Sequence, residues 1–162
     1  MELEVEEDYG KERFEDSISN ILQENRLCTL ATVSPDSEAH AATAFYAFDD
    51  ELNLYILTPP ETEHGQHLEK NSSIALSIYD SHQQFSSEKQ GLQFFGTAEK
   101  AEPEEALEIY RERFPDVEQF ASEPGDVKEL DSCFYRIEPE RFKLFDEPEF
   151  GTETWVNIRL KN

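Results

Sequence analysis

The alternation of apolar and polar residues along the chain predicts a protein built mainly of β-strands. Short alternating or apolar runs between turn residues are typical of strands that bury one or both faces. The predicted strands cover about 27–33, 39–48, 52–58, 73–80 and 91–100, an interrupted sixth strand over CFYRIEP and RFKLFD, and a seventh at TWVNIRL. Many strands with few helices favour a barrel over a βαβ sheet. We therefore expect a mainly β fold of the α+β class, with six to seven antiparallel strands and flanking helices.

Three segments are predicted to be helical. The first is an amphipathic helix over about 11–24, whose apolar face consists of Phe14, Ile18, Ile21 and Leu22. A short polar helix is predicted over about 61–70, directly after two prolines. A third helix begins at Pro103 and ends before Phe114, with Arg111 and Arg113 in its last turn.

The remaining segments show neither the alternation typical of strands nor the spacing typical of helices. Residues 1–8 are mostly acidic, and residues 1–10 are expected to fray. Residues 81–90 are polar and turn-rich, which predicts a mobile loop of the kind that often borders a site. The stretch from the third helix to Asp131 is expected to be loosely structured. With no internal repeat, residues 1–162 are expected to form a single domain.

The charge balance excludes several classes of partner. The chain has 37 acidic and 14 basic residues, for a net charge of −23. Nucleic acids and anionic membrane surfaces are therefore not expected as partners, because binding them requires the opposite sign. The acids are spread over the whole length, and salt near 1 M, with a Debye length of about 3 Å, would screen their repulsion. This distribution predicts a protein from a halophile.

The apolar segments and the cysteines indicate the compartment. There is no long apolar run and no basic-then-apolar N-terminus, so we expect neither a membrane span nor a signal peptide. Cys28 and Cys133 lie in apolar strand-like runs without CxxC spacing. We expect both to be buried free thiols in a reducing cytoplasm.

The candidate chemistry is concentrated between Ala39 and Leu68. Two strands meet at the Asp49-Asp50-Glu51 turn, and the second ends at Thr58, before two prolines and a short helix. A hydroxyl beside the unpaired amides of a helix N-terminus is suited to bind an anion. The sequence therefore predicts an anion site at this junction.

The same stretch resembles a known family. The run AFYAFDDELNLYILTPPETEH, followed by SIALSIYD and GLQFFGTAEKAE, is similar to the FMN-binding split barrels related to pyridoxamine 5'-phosphate oxidase. Within that family the motifs AFYxFD, YILT, GLQFFG and YRERFP most resemble the YhbP-like branch. The likeness extends from about residue 25 to 160. It implies a split β-barrel that works as a homodimer and holds FMN at the dimer interface.

The resemblance also implies a set of cofactor-binding residues. The hydroxyl of Thr58 would bind the flavin phosphate, Gln93 would contact the flavin, and Trp155 near the C-terminus would approach it. The full set of predicted cofactor-binding residues is Thr43, Ala44, Phe45, Leu57, Thr58, His64, His67, Gln93 and Trp155. We expect no single side chain to perform obligatory acid–base catalysis.

Each of these residues also has a purely structural explanation. Thr58 can simply end a strand, His64 can be a solvated helix residue, and Phe45 and Trp155 can belong to the barrel core. Oxidases of the family tend to have an Arg-Lys pair where this chain has Glu63-His64, so fewer cations are available for a phosphate. His64 and His67 are also spaced to chelate a metal, but without a HExxH motif or a Cys/His cluster we expect no metal site.

Three functions remain open at this point. The first is an FMN-dependent oxidoreductase that exchanges hydride with a small substrate or a nicotinamide. The second is a non-catalytic carrier of flavin, haem or deazaflavin, and the third is a structural dimer without a cofactor. The arginine–histidine arrangement that binds the substrate phosphate in pyridoxamine phosphate oxidases is not discernible, which argues against that substrate.

Overall fold

The computed structural model describes residues 2–5 and 11–161, and the side chains of residues 11–160. In chain order the elements are β1 (Glu2–Val5), α1 (Lys11–Glu24), β2 (Leu27–Val33), β3 (Ala39–Phe48), β4 (Leu54–Thr58), α2 (Glu63–Leu68), β5 (Ser73–Ile78), β6 (Gln90–Lys100), α3 (Pro103–Arg113), the 3-10 helix η1 (Pro115–Gln119), α4 (Pro124–Glu129), β7 (Cys133–Asp146), α5 (Glu147–Phe150) and β8 (Trp155–Lys161). All strand pairs are antiparallel.

Six strands close into a barrel in the order β7-β4-β3-β2-β5-β6, with β6 pairing back onto β7. Closure depends on β7, whose 14 residues pair with β4 at one end and with β6 along nearly the whole length. The other end of β7 pairs with β8, and β1 pairs with β8 outside the barrel. This confirms the predicted mainly β barrel with flanking helices.

Two apolar clusters lie on opposite sides of the barrel wall. The inner cluster fills the barrel, and α1 covers it with the four apolar residues that define its predicted face, all of which are buried. The outer cluster joins α3, η1 and α4 to the outward faces of β3, β4 and β7. It includes Ala47 and Tyr55 from the barrel, and Leu107, Tyr110 and Val127 from the helices. The outer cluster matters for function because it fixes a helical layer against the barrel.

The structure corrects two of the predicted elements. The sixth strand is continuous rather than interrupted, because a register shift between Phe95 and Gly96 accommodates the residues around Pro139. The stretch before Asp131 is not loosely structured, since it contains η1 and α4. Helix α4 begins at a proline and has a capping box between Glu123 and Asp126.

The structure describes only part of the N-terminal segment. Glu2–Val5 forms an edge strand, although residues 1–10 were expected to fray. The rest of that prediction concerns Met1 and residues 6–10, which lie outside the described residues.

Both cysteines are free, as predicted. Cys28 is buried, and burial raises the pKa of its thiol to about 12, whereas Cys133 is only partly buried. No helix in the described part of the chain is long and apolar enough to cross a membrane.

The bulge at Gly96 provides a test of the barrel closure. A Cβ added at this glycine would overlap the Glu138 carbonyl oxygen on β7. We expect Gly96→Ala to lower the free energy of unfolding by about 1–3 kcal/mol or more, because the neighbouring atom is backbone and cannot rotate away. Urea denaturation monitored by circular dichroism measures this change.

The matched control is Gly125→Ala on α4, where nothing lies within 4 Å of the added Cβ. It should be neutral or slightly stabilising, since alanine favours a helix. If Gly96→Ala and Gly125→Ala are equally stable, the close approach of Gly96 to β7 is not needed to close the barrel.

Candidate functional site

A cleft of about 570 Å³ lies between the outer wall of the barrel and the segment that joins α3 to η1. The barrel side and α2 contribute Thr43, Ala44, Phe45, Leu57, Thr58 and His64. The opposite side consists of Tyr110, Phe114, Asp116, Val117 and Phe120. Arg26 lies at the edge of the barrel side, where its carbonyl oxygen accepts a hydrogen bond from Tyr46 N. The cleft is therefore built from residues distant in sequence that the outer apolar cluster brings together.

The pleat of β3 determines which of its side chains face the cleft. Thr43 and Phe45 are exposed, whereas Ala44 and Tyr46 pack toward the barrel core. Phe45 is 55% exposed, and its ring meets that of Phe114 edge-on at 5.6 Å. An exposed aromatic surface of this kind is suited to pack against a flat, apolar ligand.

A hydroxyl–imidazole pair forms the polar end of the cleft. Thr58, the last residue of β4, is only 6% exposed, and its Oγ1 lies 2.8 Å from His64 Nε2. Two prolines end the strand directly after Thr58, so α2 starts close by and His64 reaches back to the strand end. Thr58 is buried and polar, and His64 supplies the hydrogen-bond partner that a buried hydroxyl needs.

One amide at the start of α2 is already bonded to a side chain. Thr62 caps the helix, and its Oγ1 accepts a hydrogen bond from Gly65 N at 3.2 Å. The helix has six residues, and Glu63 adds a negative charge to its first turn. The capping hydroxyl and the Glu63 carboxylate therefore both weaken the attraction of this helix end for an anion.

Three imidazoles pack together behind this end of the cleft, and we call His40, His64 and His67 the histidine cluster. The His40 ring stacks on His64 with centroids 6.1 Å apart and meets His67 edge-on at 5.6 Å. His40 Nδ1 lies 3.3 Å from Glu63 Oε2. Within the described residues no group of three or more His, Cys, Asp or Glu side chains is arranged to hold a metal ion.

The surroundings of His64 favour its neutral form. Burial, and then the neighbouring His40 and His67, lower the pKa of His64 below its ordinary value. The carboxylate of Glu63 offsets only part of this effect. At neutral pH, His64 is therefore a neutral hydrogen-bonding group.

The wall formed by α3 and η1 faces the permanent positive charge of the cleft. Among the described lining residues, Arg26 is the only arginine or lysine, and its guanidinium lies 5.8 Å from the Phe114 ring centroid. The Tyr110 hydroxyl donates to the Phe45 carbonyl oxygen at 2.8 Å, which ties the two walls together. Asp116 brings a carboxylate to the same wall.

Sequence reasoning missed this opposite wall. The motif YRERFP contains Tyr110 and Phe114, but nothing in it indicates that the segment folds back onto β3. Arg26 directly precedes β2 and carries no sequence signal of its own.

Six of the nine predicted site residues line the cleft: Thr43, Ala44, Phe45, Leu57, Thr58 and His64. The structure does not place the other three there. His67 is buried behind the cleft, where its Nδ1 lies 3.0 Å from Thr32 Oγ1.

Gln93 and Trp155 line a separate groove of about 230 Å³ on the other side of the barrel. Trp155 is 41% exposed and stacks on Phe145 at 4.3 Å, so it does not belong to the core. Lys143 Nζ lies 4.6 Å from the indole.

Solved structures with the same fold are numerous. A protein from Clostridium acetobutylicum, related to general stress protein 26 and assigned to the pyridoxinephosphate oxidase family, has a TM-score of 0.69 at 13% identity, with 93% of this chain and 97% of that chain covered. A haem-binding protein from Mycobacterium smegmatis has a TM-score of 0.71 at 14% identity, and the match covers 93% of this chain but only 58% of that one. The haem storage protein HutZ from Vibrio cholerae has a TM-score of 0.64 at 20% identity, covering 77% of this chain and 89% of that chain. At these identities the likeness concerns the fold alone.

No curated protein matches the sequence. The family model described as pyridoxamine 5'-phosphate oxidase matches residues 14–145, which include the whole barrel and both walls of the cleft. The chain therefore belongs to the pyridoxamine 5'-phosphate oxidase family.

Proposed function

We propose that the protein is an FMN-binding flavoprotein that uses the flavin in an oxidoreductase reaction. The observation that carries the proposal is a cleft with the buried Thr58–His64 pair at one end and an aromatic wall beside Arg26 at the other. Its volume of about 570 Å³ falls in the range of small-molecule and cofactor sites, about 300–1,000 Å³. A ligand with an anionic tail and a flat ring matches this distribution of polar and apolar groups.

The residues present fit the two parts of FMN. Thr58 can donate its hydroxyl proton to a phosphate oxygen, and Phe45 and Phe114 offer ring faces and edges to the isoalloxazine. Arg26 adds a positive charge, which attracts the phosphate or the electron-rich polar edge of a flavin. Glu63 opposes a phosphate, but its side chain is 66% exposed and lies close to His40, so solvent weakens the repulsion.

The chemistry of the reaction belongs to the flavin, which transfers hydride between a small substrate or a nicotinamide and its own ring when bound. The part of the chain is to bind the phosphate, to orient the ring against Phe45, and to exclude water from one side of it. Thr58 and His64 share the proton of their hydrogen bond, and the reaction does not require either residue to transfer it to a substrate.

A second candidate is a haem carrier, and His64 is the residue that favours it. Its imidazole lines a cleft with apolar walls, and a histidine is a common axial ligand of haem iron. Two of the structures with the same fold are a haem-binding protein and a haem storage protein.

We further propose that the protein is a homodimer in which the groove of Gln93 and Trp155 faces the flavin bound by the other copy. The separation of this groove from the cleft within one chain supports the proposal. The exposed, stacked Trp155 offers an apolar surface for such a contact.

The purified protein should be yellow or become so with added FMN, and NADH or NADPH should bleach the bound flavin under anaerobic conditions. Absorbance spectroscopy measures both steps, and light scattering should give a mass of twice 18.8 kDa. A flavin that binds but is not reduced would support a carrier instead. A haem spectrum without flavin would favour the second candidate, and a protein that binds neither would contradict both.

Replacing Thr58 with valine should weaken FMN binding by roughly tenfold or more, because a hydrogen bond to a charged group contributes about 1.5–3 kcal/mol. Affinity for riboflavin, which lacks the phosphate, should change little. Fluorescence quenching of the flavin measures both dissociation constants.

Thr152→Val is the matched control, because Thr152 is exposed and does not line the cleft. If Thr58→Val and Thr152→Val bind FMN equally well, the phosphate does not lie beside Thr58.

We also propose that the protein comes from a halophile and works in a reducing cytoplasm. The outer face of α3 presents the exposed acids Glu104, Glu108 and Glu112 at successive i,i+4 positions. Like charges at this spacing destabilise a helix unless salt screens them. The two free cysteines support a reducing compartment.

The unfolding midpoint should rise as KCl is raised from about 0.1 to about 3 M, because the Debye length falls to a few ångströms. Glu108→Gln should stabilise the protein at low salt by about 0.2–0.5 kcal/mol for each repulsive pair removed, with a smaller gain at high salt. Thermal denaturation at each salt concentration measures both effects. A midpoint that does not respond to salt would contradict the adaptation.

A further inference from the structure

The histidine cluster contains three of the four histidines of the chain, and it touches the cleft only through His64. His40 extends from β3, and His64 and His67 lie one turn apart on α2. The fourth, His82, is exposed elsewhere and lies beside Asp80. The His40 ring lies 6.1 Å from the His64 ring and 5.6 Å from the His67 ring, measured between centroids, and both neighbours lower the pKa of His64.

The charged and titratable groups around His64 come from every neighbouring element. His40 lies on β3, and His67 and Glu63 lie on α2. Arg26, ahead of β2, lines the same cleft, and Asp116 on η1 and the Tyr110 hydroxyl on α3 lie on its opposite wall. With no anion bound, burial and the other two imidazoles lower the pKa of His64 despite the carboxylate of Glu63.

The hydrogen bond between Thr58 and His64 links protonation to anion binding. A hydroxyl has one proton to donate and two lone pairs to accept with. When His64 Nε2 is unprotonated, it accepts the Thr58 proton across their 2.8 Å separation. When Nε2 carries a proton, as in the imidazolium and in one neutral tautomer, it donates to Thr58 Oγ1 and leaves the Thr58 proton free to point at an anion. Only the imidazolium also places a positive charge beside that anion.

We propose that His64 couples anion binding to proton uptake, so that a phosphate monoester binds beside Thr58 together with one proton held by the His64 imidazole. The inference rests on the proposed function, in which FMN is the phosphate monoester. The bound dianion favours the imidazolium, while the empty cleft favours the neutral ring. The Thr58–His64 pair is therefore uncharged when the cleft is empty and carries one positive charge when the anion is bound, in a chain whose net charge is −23.

The direction of the pH effect follows from these charges. An anion beside the imidazole raises the pKa of His64 from its lowered starting value, so binding takes up a proton at a pH between the two values. FMN affinity should therefore increase as the pH falls through this window, by at most about tenfold per pH unit for one proton. Riboflavin, which has no phosphate, should bind with little dependence on pH.

Isothermal titration calorimetry with FMN, in two phosphate-free buffers that differ in ionisation enthalpy, counts the protons taken up. The titrations run from about pH 6.5 to about pH 8.5, above the second ionisation of a phosphate monoester near pH 6. We expect uptake approaching one proton per FMN in the wild-type protein and in the control His82→Gln, and none in His64→Gln. In His64→Lys, whose charge is permanent at these pH values, binding should stay tight and lose its pH dependence.

Proton uptake that persists in His64→Gln, or wild-type FMN binding with no uptake and no pH dependence, would overturn this inference and leave flavin binding intact. No FMN binding at any pH would overturn the proposed function as well. Circular dichroism of each variant verifies that it is folded. If His64→Gln does not fold, the loss of pH dependence in His64→Lys tests the inference instead.

Discussion

The hydrogen bond from the Tyr110 hydroxyl to the Phe45 carbonyl oxygen holds the helical layer against the barrel. The Tyr110 ring packs against the rings of Phe134 and Phe114 in the outer apolar cluster. Burial raises the pKa of Tyr110, so its hydroxyl remains a donor throughout the physiological range. This contact joins α3 to β3 at the cleft, which both residues line.

A second anchor acts at the end of α3. The Arg113 guanidinium donates to the backbone carbonyl oxygens of Leu22 and Asn25, at the end of α1, and stacks on Tyr46 and Phe48. Planar guanidinium groups suit such sites, because they combine several fixed donors with a face that packs on aromatic rings. The helix that covers the mouth of the barrel and the helix that forms the cleft wall are therefore joined through one side chain.

The charge of the chain limits how it can bind an anion. Permanent cations are scarce, and Arg26 is the one that the described cleft wall provides. The polar end instead presents a buried hydroxyl and an imidazole, which carry no charge at neutral pH and need no counter-ion when the cleft is empty. A site of this kind gives lower affinity than a lysine–arginine pair but can change its charge with its ligand.

The barrel and the near wall of the cleft were predictable because they depend on local pattern. Alternation located the strands, and the strand end at Thr58 followed from Pro59 and Pro60. The far wall was not predictable, because Phe114 and Val117 reach the cleft only through tertiary packing. The capping of α2 by Thr62 and the bulge that carries Pro139 through β7 depend likewise on geometry that periodicity does not encode.

A crystal structure of the protein with FMN tests the central claim most directly, because it locates the phosphate. We expect the phosphorus beside Thr58 Oγ1 and His64 Nε2, with the isoalloxazine ring against Phe45. A nucleotide seated elsewhere, or a cleft closed by its own side chains in crystals saturated with FMN, would contradict it.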